Sequence, residues 1–248
     1  MEFEIRSDQG MVRSQNEDYC SAMNIEATYG QYWVFAVADG MGGHNKGEIA
    51  SKIAVESLFK SLVEELGIME EPNMVKIKEK LDKAYSFSNG QVYRASMEEK
   101  EFSGMGTTLT SLVIHENQAI IANVGDSRCY HVQNGNIYRI TKDNSLIQEL
   151  LEAGAINEEE AKVHPRRNVI TRAIGTDPKV KVDFYRESLD QGDYMILVSD
   201  GVTGYIQDQE IQYIVDTKKI PKEICDELVL KANERGGKDN ISAICVLI

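Results

Sequence analysis

Tyr32-Trp33-Val34-Phe35-Ala36-Val37-Ala38-Asp39-Gly40 is the stretch that decides the architecture of this chain. Its unbroken apolar run reads as a strand covered on both faces, because a half-solvated strand would alternate apolar and polar positions. A second run of the same kind, Tyr194-Met195-Ile196-Leu197-Val198, leads into Ser199-Asp200-Gly201. Two buried strands therefore each hand over to an Asp-Gly pair. A carboxylate at the end of a core strand sits on a rigid frame, which suits binding of a hard divalent cation through oxygen.

Outward from these runs, both hydrophobic periods appear. Phe3 and Ile5 alternate with charges, Thr107 to Ile114 and Ala119 to Val124 are β-branched and apolar, and Asn134-Gly135 separates Cys129–Val132 from Ile137–Ile140 as a hairpin turn does. Helical spacing runs through Ile49, Ile53, Leu58, Leu62 and Leu66, and again after Pro72 through Met74, Ile77, Leu81 and Tyr85. Asp143 to Ser145 are placed to cap a helix at Leu146 to Ala153 that Gly154 stops, and Asp208 to cap another through Val215. A last helix from Pro221 to Ala232 precedes a strand from Ile241 to Ile248. Helices and hairpin strands come in separate runs, which predicts an α+β fold. No Pro-rich, Gly/Ser-rich or charge-block linker divides the 248 residues, so one domain spanning 1–248 is expected.

With 27 basic against 40 acidic residues the formal charge is −13, which repels polyanions and argues against nucleic acid and anionic membranes as partners. The start, Met1-Glu2-Phe3-Glu4-Ile5-Arg6, lacks the basic and apolar regions of a signal peptide, and no apolar run reaches membrane-spanning length. Cys20, Cys129, Cys225 and Cys245 are widely spaced, as in a reducing compartment. The expectation is a cytoplasmic protein without stable membrane insertion.

Three further acidic clusters join the two strand ends: Asn16-Glu17-Asp18, Gly125-Asp126-Ser127-Arg128 and Asp239-Asn240. Each alone is explained by a turn or a solvated pair, and Asp126 by a salt bridge to Arg128. Their joint occurrence, with a glycine-rich loop that lets backbone carbonyls approach an ion, moves the balance to a metal site. Oxygen-only ligation points to Mg2+ or Mn2+, since His44, His115, His131 and His164 show no metal-ligand spacing. Arg13 lies three residues before Asn16. It suits bidentate capture of a phosphate, or a salt bridge to Glu17 or Asp18. No cysteine begins a C-x5-R phosphate loop.

Six segments, Arg13-Ser14-Gln15-Asn16-Glu17-Asp18, Asp39-Gly40-Met41-Gly42-Gly43-His44, Gly104-Met105-Gly106-Thr107-Thr108, Val124-Gly125-Asp126-Ser127-Arg128, Ser199-Asp200-Gly201 and Gly237-Lys238-Asp239-Asn240, resemble in order and spacing the metal-dependent serine/threonine protein phosphatases, the PPM or type 2C family. The stretch from Ile140 to Pro165 resembles its bacterial branch. The resemblance implies a sandwich of two antiparallel β-sheets flanked by α-helices, with a dimetal site at one end of the strands. It implies that Asp39 bridges two Mn2+ or Mg2+ ions, that the Gly40 carbonyl binds one and Asp200 and Asp239 the other, and that Glu17 and Asp18 support them. Asp126 matches the position that, with Asp200, holds a third and weaker ion in bacterial relatives. Asn240 would orient the loop of Asp239, and Arg13 would grip the phosphate.

The implied activity is hydrolysis of phosphoserine and phosphothreonine in proteins by a water bridging the metals, reversing a cognate serine/threonine kinase. The competing reading is a catalytically weak module of the same fold that senses or binds a partner. Two positions depart from the family pattern. Met41 stands where many eukaryotic relatives have a histidine that is a candidate acid for the leaving oxygen, with His44 as a substitute that we weigh against; and Asn144 follows Asp143 where His or Thr is usual. The segment from Ser145 to Asn168 corresponds to the family's flap beside the cleft. Its run Asn157-Glu158-Glu159-Glu160 reads as a solvated helix start, and Arg166 and Arg167 are open to substrate contact.

Overall fold

The computed structural model describes residues 1–42, 46–70, 72–98 and 100–248. Its strands are β1 (Glu2–Asp8), β2 (Asp18–Ala27), β3 (Gly30–Met41), β4 (Gly106–Thr107), β5 (Leu109–His115), β6 (Gln118–Val124), β7 (Arg128–Gln133), β8 (Asn136–Arg139), β9 (Asp183–Ser188), β10 (Tyr194–Val198) and β11 (Ile241–Leu247). The helices are α1 (Gly47–Gly67), α2 (Met74–Glu98), α3 (Leu146–Glu152), α4 (Glu158–Val163), α5 (Asp200–Thr203), α6 (Asp208–Lys218) and α7 (Pro221–Glu234). One sheet runs β1-β11-β10-β7-β8 and the other β2-β3-β5-β6-β9, with β4 added at the end of β3. Every pairing is antiparallel.

Three apolar clusters fill the spaces between four layers. Phe35, Val37, Leu112 and Ile121 meet Met195, Leu197, Ile244 and Val246 between the sheets. On the outer face of one sheet Val34, Ala36 and Ala38 pack with Leu58, Leu62, Ile77 and Leu81 of α1 and α2. Beyond the other sheet Ile196, Val198 and Ala243 pack with Ile211, Ile214, Ile224 and Leu228 of α6 and α7. Successive residues of β3 and β10 thus alternate between two different apolar layers. That explains the unbroken runs, since a central strand of such a sandwich has no face left for water.

The sequence and the structure part at a few elements. The run Thr107 to Ile114 is broken at Thr108 into β4 and β5. Asp208 does not cap α6: Gln207 is the capping residue, and the Asp208 carboxylate accepts the Tyr130 hydroxyl at 2.8 Å. Ser145 does cap α3, accepting from the Gln148 amide, and Asn157 forms a capping box with Glu160 at α4. The Asn134-Gly135 turn joins β7 to β8 with both residues left-handed, at φ of 51° and 71°. Farther along the sandwich, buried His131 of β7 stands 3.1 Å from Glu187 of β9 and 2.9 Å from Asp193 before β10, so it ties one sheet to the other.

Candidate metal centre

Antiparallel pairing gathers the acidic clusters at one end of the molecule. Asp18 at the start of β2 is the direct cross-strand partner of Asp39 near the end of β3. In the other sheet Val198, the last residue of β10, pairs with Arg128 at the start of β7 and with Ala243 near the start of β11. The turns carrying Asp200, Asp126 and Asp239 therefore leave the sheet on the same side. Asp18 and Asp39 share the register of Cys20 and Val37, which face the space between the sheets, so the five carboxylates meet across its mouth.

The supporting contacts are mostly backbone. Asp39 is held by Thr108, whose amide donates to the Asp39 carbonyl and whose hydroxyl accepts from the Asp39 amide, both at 2.9 Å, while the Thr107 hydroxyl donates to that carbonyl at 2.9 Å. The break in the strand at Thr108 is what turns these groups onto Asp39. Gly40 lies where no side chain fits: a Cβ there would stand 2.1 Å from the Gly47 carbonyl oxygen and 2.6 Å from that of Glu17. The close approach sets β3 against the N-terminus of α1. Met41 packs beside Gly106; Gly43 and His44 lie outside the described residues.

Asn240 binds more than the loop of Asp239. Its Nδ2 donates to the carbonyls of Gln9 and Gln15, each at 2.8 Å, and its Oδ1 accepts the Glu17 amide at 2.8 Å. The side chain thus straps the whole N-terminal loop that carries Arg13. Arg13 takes neither Glu17 nor Asp18 as its hydrogen-bonded partner. Its Nη2 donates to Asp239 Oδ2 at 2.8 Å, and Asp239 Oδ1 accepts the Asn240 amide at 2.9 Å. Arg128 likewise avoids Asp126 and forks onto Asp143, with Nε 3.0 Å from Oδ1 and Nη2 2.8 Å from Oδ2.

Burial and mutual repulsion raise the proton affinity of this cluster. Loss of hydration pushes Asp18 up to about 7, with Asp200 and Asp239 adding to the shift although the Ser199 hydroxyl donates to Asp18 at 2.8 Å. Asp126 is also pushed up to about 7 by burial, then by Asp200 and Asp143. Burial, then Asp18, Asp200 and Asp126, raise Asp39 well above the usual carboxylate range, and burial with Asp239 raises Asp200. Loss of hydration raises Glu17 as well.

These residues fit a hard cation by their chemistry. The donors are all oxygen, and Asp18 Oδ1 and Asp200 Oδ1 are buried without a hydrogen-bond partner; Arg13 and Arg128 only partly offset the charge, since Asp200 stays raised beside both. Among the described residues no three His, Cys, Asp or Glu side chains stand in ready-made coordination geometry. The convergence is one of backbone placement and charge. Beside it lies a cleft of about 890 Å³ with Asp126 and Asp200 on its floor, Gln148 and Lys162 of the flap on one wall and Tyr205 and Gln207 on the other. Arg167 lines this cleft while Arg166 does not. Thr107 and Thr108 are the supporting residues that reading the acidic clusters alone passes over, with the Gly104–Thr108 segment as their one sequence signal; Ser199 stands inside an acidic cluster, but its bond to Asp18 is not legible there.

Known proteins resemble the chain over almost its whole length. A family model described as protein phosphatase 2C matches residues 12–223. The chain is 37% identical over 246 residues to the serine/threonine phosphatase stp of Listeria monocytogenes serotype 4b, covering 99% of this chain and 95% of that protein. The crystal structure of the serine/threonine phosphatase Stp1 from Staphylococcus aureus superposes with a TM-score of 0.90 at 33% identity, covering 100% of this chain and 94% of that one. The catalytic domain of the serine/threonine protein phosphatase PstP in complex with two manganese ions does so at 0.83 and 31% identity, covering 98% and 96%.

Proposed function

The chain belongs to the protein phosphatase 2C family, and from that membership we propose that residues 1–248 form one catalytic domain that hydrolyses phosphoserine and phosphothreonine in proteins. The observation that carries this reading is the convergence of Asp18, Asp39, Asp126, Asp200 and Asp239 at one mouth of the sandwich beside the exposed guanidinium of Arg13. The full acidic set argues against a module that only senses or binds a partner. Asp39, the Gly40 carbonyl, Asp200 and Asp239 would hold two Mn2+ or Mg2+ ions, with Glu17 and Asp18 in support and Asp126 toward a third, and the ions would supply charge neutralisation and a water of lowered pKa.

The chain's own groups do the rest. Arg13 presents a fork of N–H donors to the phosphoryl oxygens, and its contact with Asp239 keeps it over the acidic mouth before substrate arrives. Asn240 fixes the approach of that loop. Thr107 and Thr108 hold Asp39 by its backbone, so its carboxylate turns without displacing the strand. Met41 has no proton to give the departing serine or threonine oxygen, so water at the site or another residue must deliver it. The physiological setting we propose is cytoplasmic signalling, opposite a serine/threonine kinase that makes these phosphoproteins. The charge of −13, the four free thiols and the lack, among the described residues, of a helix long and apolar enough to cross a membrane support that setting.

The test is phosphate release from a phosphothreonine peptide in Mn2+. EDTA, Asp39→Ala and Asp239→Asn each abolish it on this reading; turnover that persists in EDTA overturns the metal chemistry, and no turnover by the native chain with any divalent cation overturns the function.

A further inference from the structure

Asn144, the residue that departs from the family pattern, spends all four of its polar groups on three different segments. Its amide donates to the Gly125 carbonyl at 2.8 Å, and its Oδ1 accepts the Gly125 amide at 3.0 Å. Its carbonyl accepts the Thr171 amide at 2.7 Å. Its Nδ2 donates to Asp183 Oδ2 at 2.8 Å, an oxygen that also receives Arg172 Nη1 at 2.8 Å. The side chain is buried, 2% exposed, so none of these bonds is traded with water.

The three segments are the turn of Asp126, the exit of the flap and the first residue of β9. Entry and exit of the flap close on each other directly beside Asn144: Ser145 bridges Ile170, and the Leu146 amide donates to the Val169 carbonyl at 2.8 Å. α3 and α4 lie between these closing contacts, and Lys142 adds a second tie by pairing with Glu152 at the end of α3. Asn123 reinforces these contacts from the opposite side, its Nδ2 reaching the carbonyls of Gly125 and Lys142, each at 3.2 Å. The same flap forms one wall of the cleft whose floor is Asp126 and Asp200.

We propose that Asn144 is a positioning residue, which sets the flap wall of the cleft against the Asp126 turn and thereby the binding of the polypeptide that carries the phosphate. The inference rests on the phosphatase reading. An amide suits the place because it offers an acceptor to Gly125 and a donor to Asp183 at once. A carboxylate keeps the first bond and faces Asp183 with like charge; an alanine leaves the Gly125 amide buried and unmet. The small phosphoryl group meets Arg13 and the acidic mouth without the flap, whereas a peptide must lie along the cleft. Loss of Asn144 therefore separates large from small substrates.

The experiment compares the native chain, Asn144→Ala, Asn144→Asp and the exchanged pair Asn144→Asp with Asp183→Asn, using a phosphothreonine peptide and p-nitrophenyl phosphate in Mn2+. The expected result is a rise of about tenfold in KM for the peptide in both single variants, with kcat on p-nitrophenyl phosphate within about twofold of native. The exchanged pair recovers part of the peptide KM, because the carboxylate introduced at position 144 then accepts from both the Gly125 amide and the side-chain amide introduced at position 183, while Arg172 loses the Asp183 oxygen it binds in the native chain. Equal losses on both substrates, or no recovery in the exchanged pair, overturn the proposal. Trypsin supplies a readout independent of turnover: cleavage after exposed Arg166 and Arg167 speeds up in the single variants and slows again in the pair. A native chain that leaves the peptide untouched overturns the phosphatase reading, while unchanged flap cleavage in Asn144→Ala overturns the role of Asn144 itself.

Discussion

Arg13 is the residue whose surroundings most change its reading. Spacing offered Glu17 and Asp18 as its partners; the structure gives Asp239, which lies 226 residues away. An arginine tied to an acid of the site is both a local counter-charge and a preplaced phosphate clamp. Arg13→Ala lowers kcat/KM on a phosphopeptide by about 100-fold, and Arg13→Lys recovers only part of it because an ammonium cannot fork; steady-state kinetics decide. Asp18 carries a prediction in pH. Its carboxyl moves from the ordinary 3.8 up to about 7 through burial first and neighbouring acids second. Between those values the folded chain binds the proton that the unfolded chain has released, so this contribution to stability is full below the unfolded value and is lost as pH rises through the folded one. Asp18→Asn removes the loss. In EDTA its unfolding free energy exceeds the native one by a margin that widens from about pH 5 to about pH 8, toward roughly 4 kcal/mol for a shift of this size; urea denaturation across that range reads it, and a margin constant with pH sinks the assignment.

At the scale of elements, legibility followed hydration. β3 and β10 were readable because both of their faces are apolar, and α1 and α2 because a single stripe faces one sheet. β9 was not, since its residues Asp183 to Ser188 are mostly polar at the edge of a sheet, where one flank of the backbone meets solvent. The break at Thr108 escaped because β-branched residues continue straight across it, and only the need to hold Asp39 explains it. Asp208 was misread as a cap for a related reason: its partner Tyr130 is 78 residues away and no local pattern announces it. The acids themselves were visible as strand ends, but their partners Arg13, Ser199 and Asn240 are joined by pairing across the chain. Packing at this scale is testable. Leu58→Ala opens the layer between α1 and β3 and costs about 2–5 kcal/mol in urea denaturation. Gly40→Ala is different in kind. Its methyl group meets the backbone of Gly47 and Glu17, so it displaces the start of α1 from the acidic mouth, and Mn2+ titration calorimetry should show at least about a tenfold loss of affinity.

For the whole molecule, net charge of −13 and five converging carboxylates put the same sign on the surface and at the site. If divalent cations bind the folded chain and not the unfolded one, as the proposed function requires, Mn2+ at about 100 times its dissociation constant adds about 2.7 kcal/mol of stability; thermal melts across a Mn2+ series check it. The two ends of the sandwich answer that change differently. At one end like charges press the sheets apart, while toward the other His131 reaches carboxylates from both sheets, Glu187 and Asp193. The pair of sheets is built like a clothes peg, sprung at one end by charge and pinned nearer the other by an imidazole. Chelation should therefore loosen it directionally. Amide exchange in EDTA accelerates at Asp18, Asp39 and Ile241 and stays slow at His131, Met195 and Ala119, and a uniform rise would mean that the spring and the pin are not separate parts.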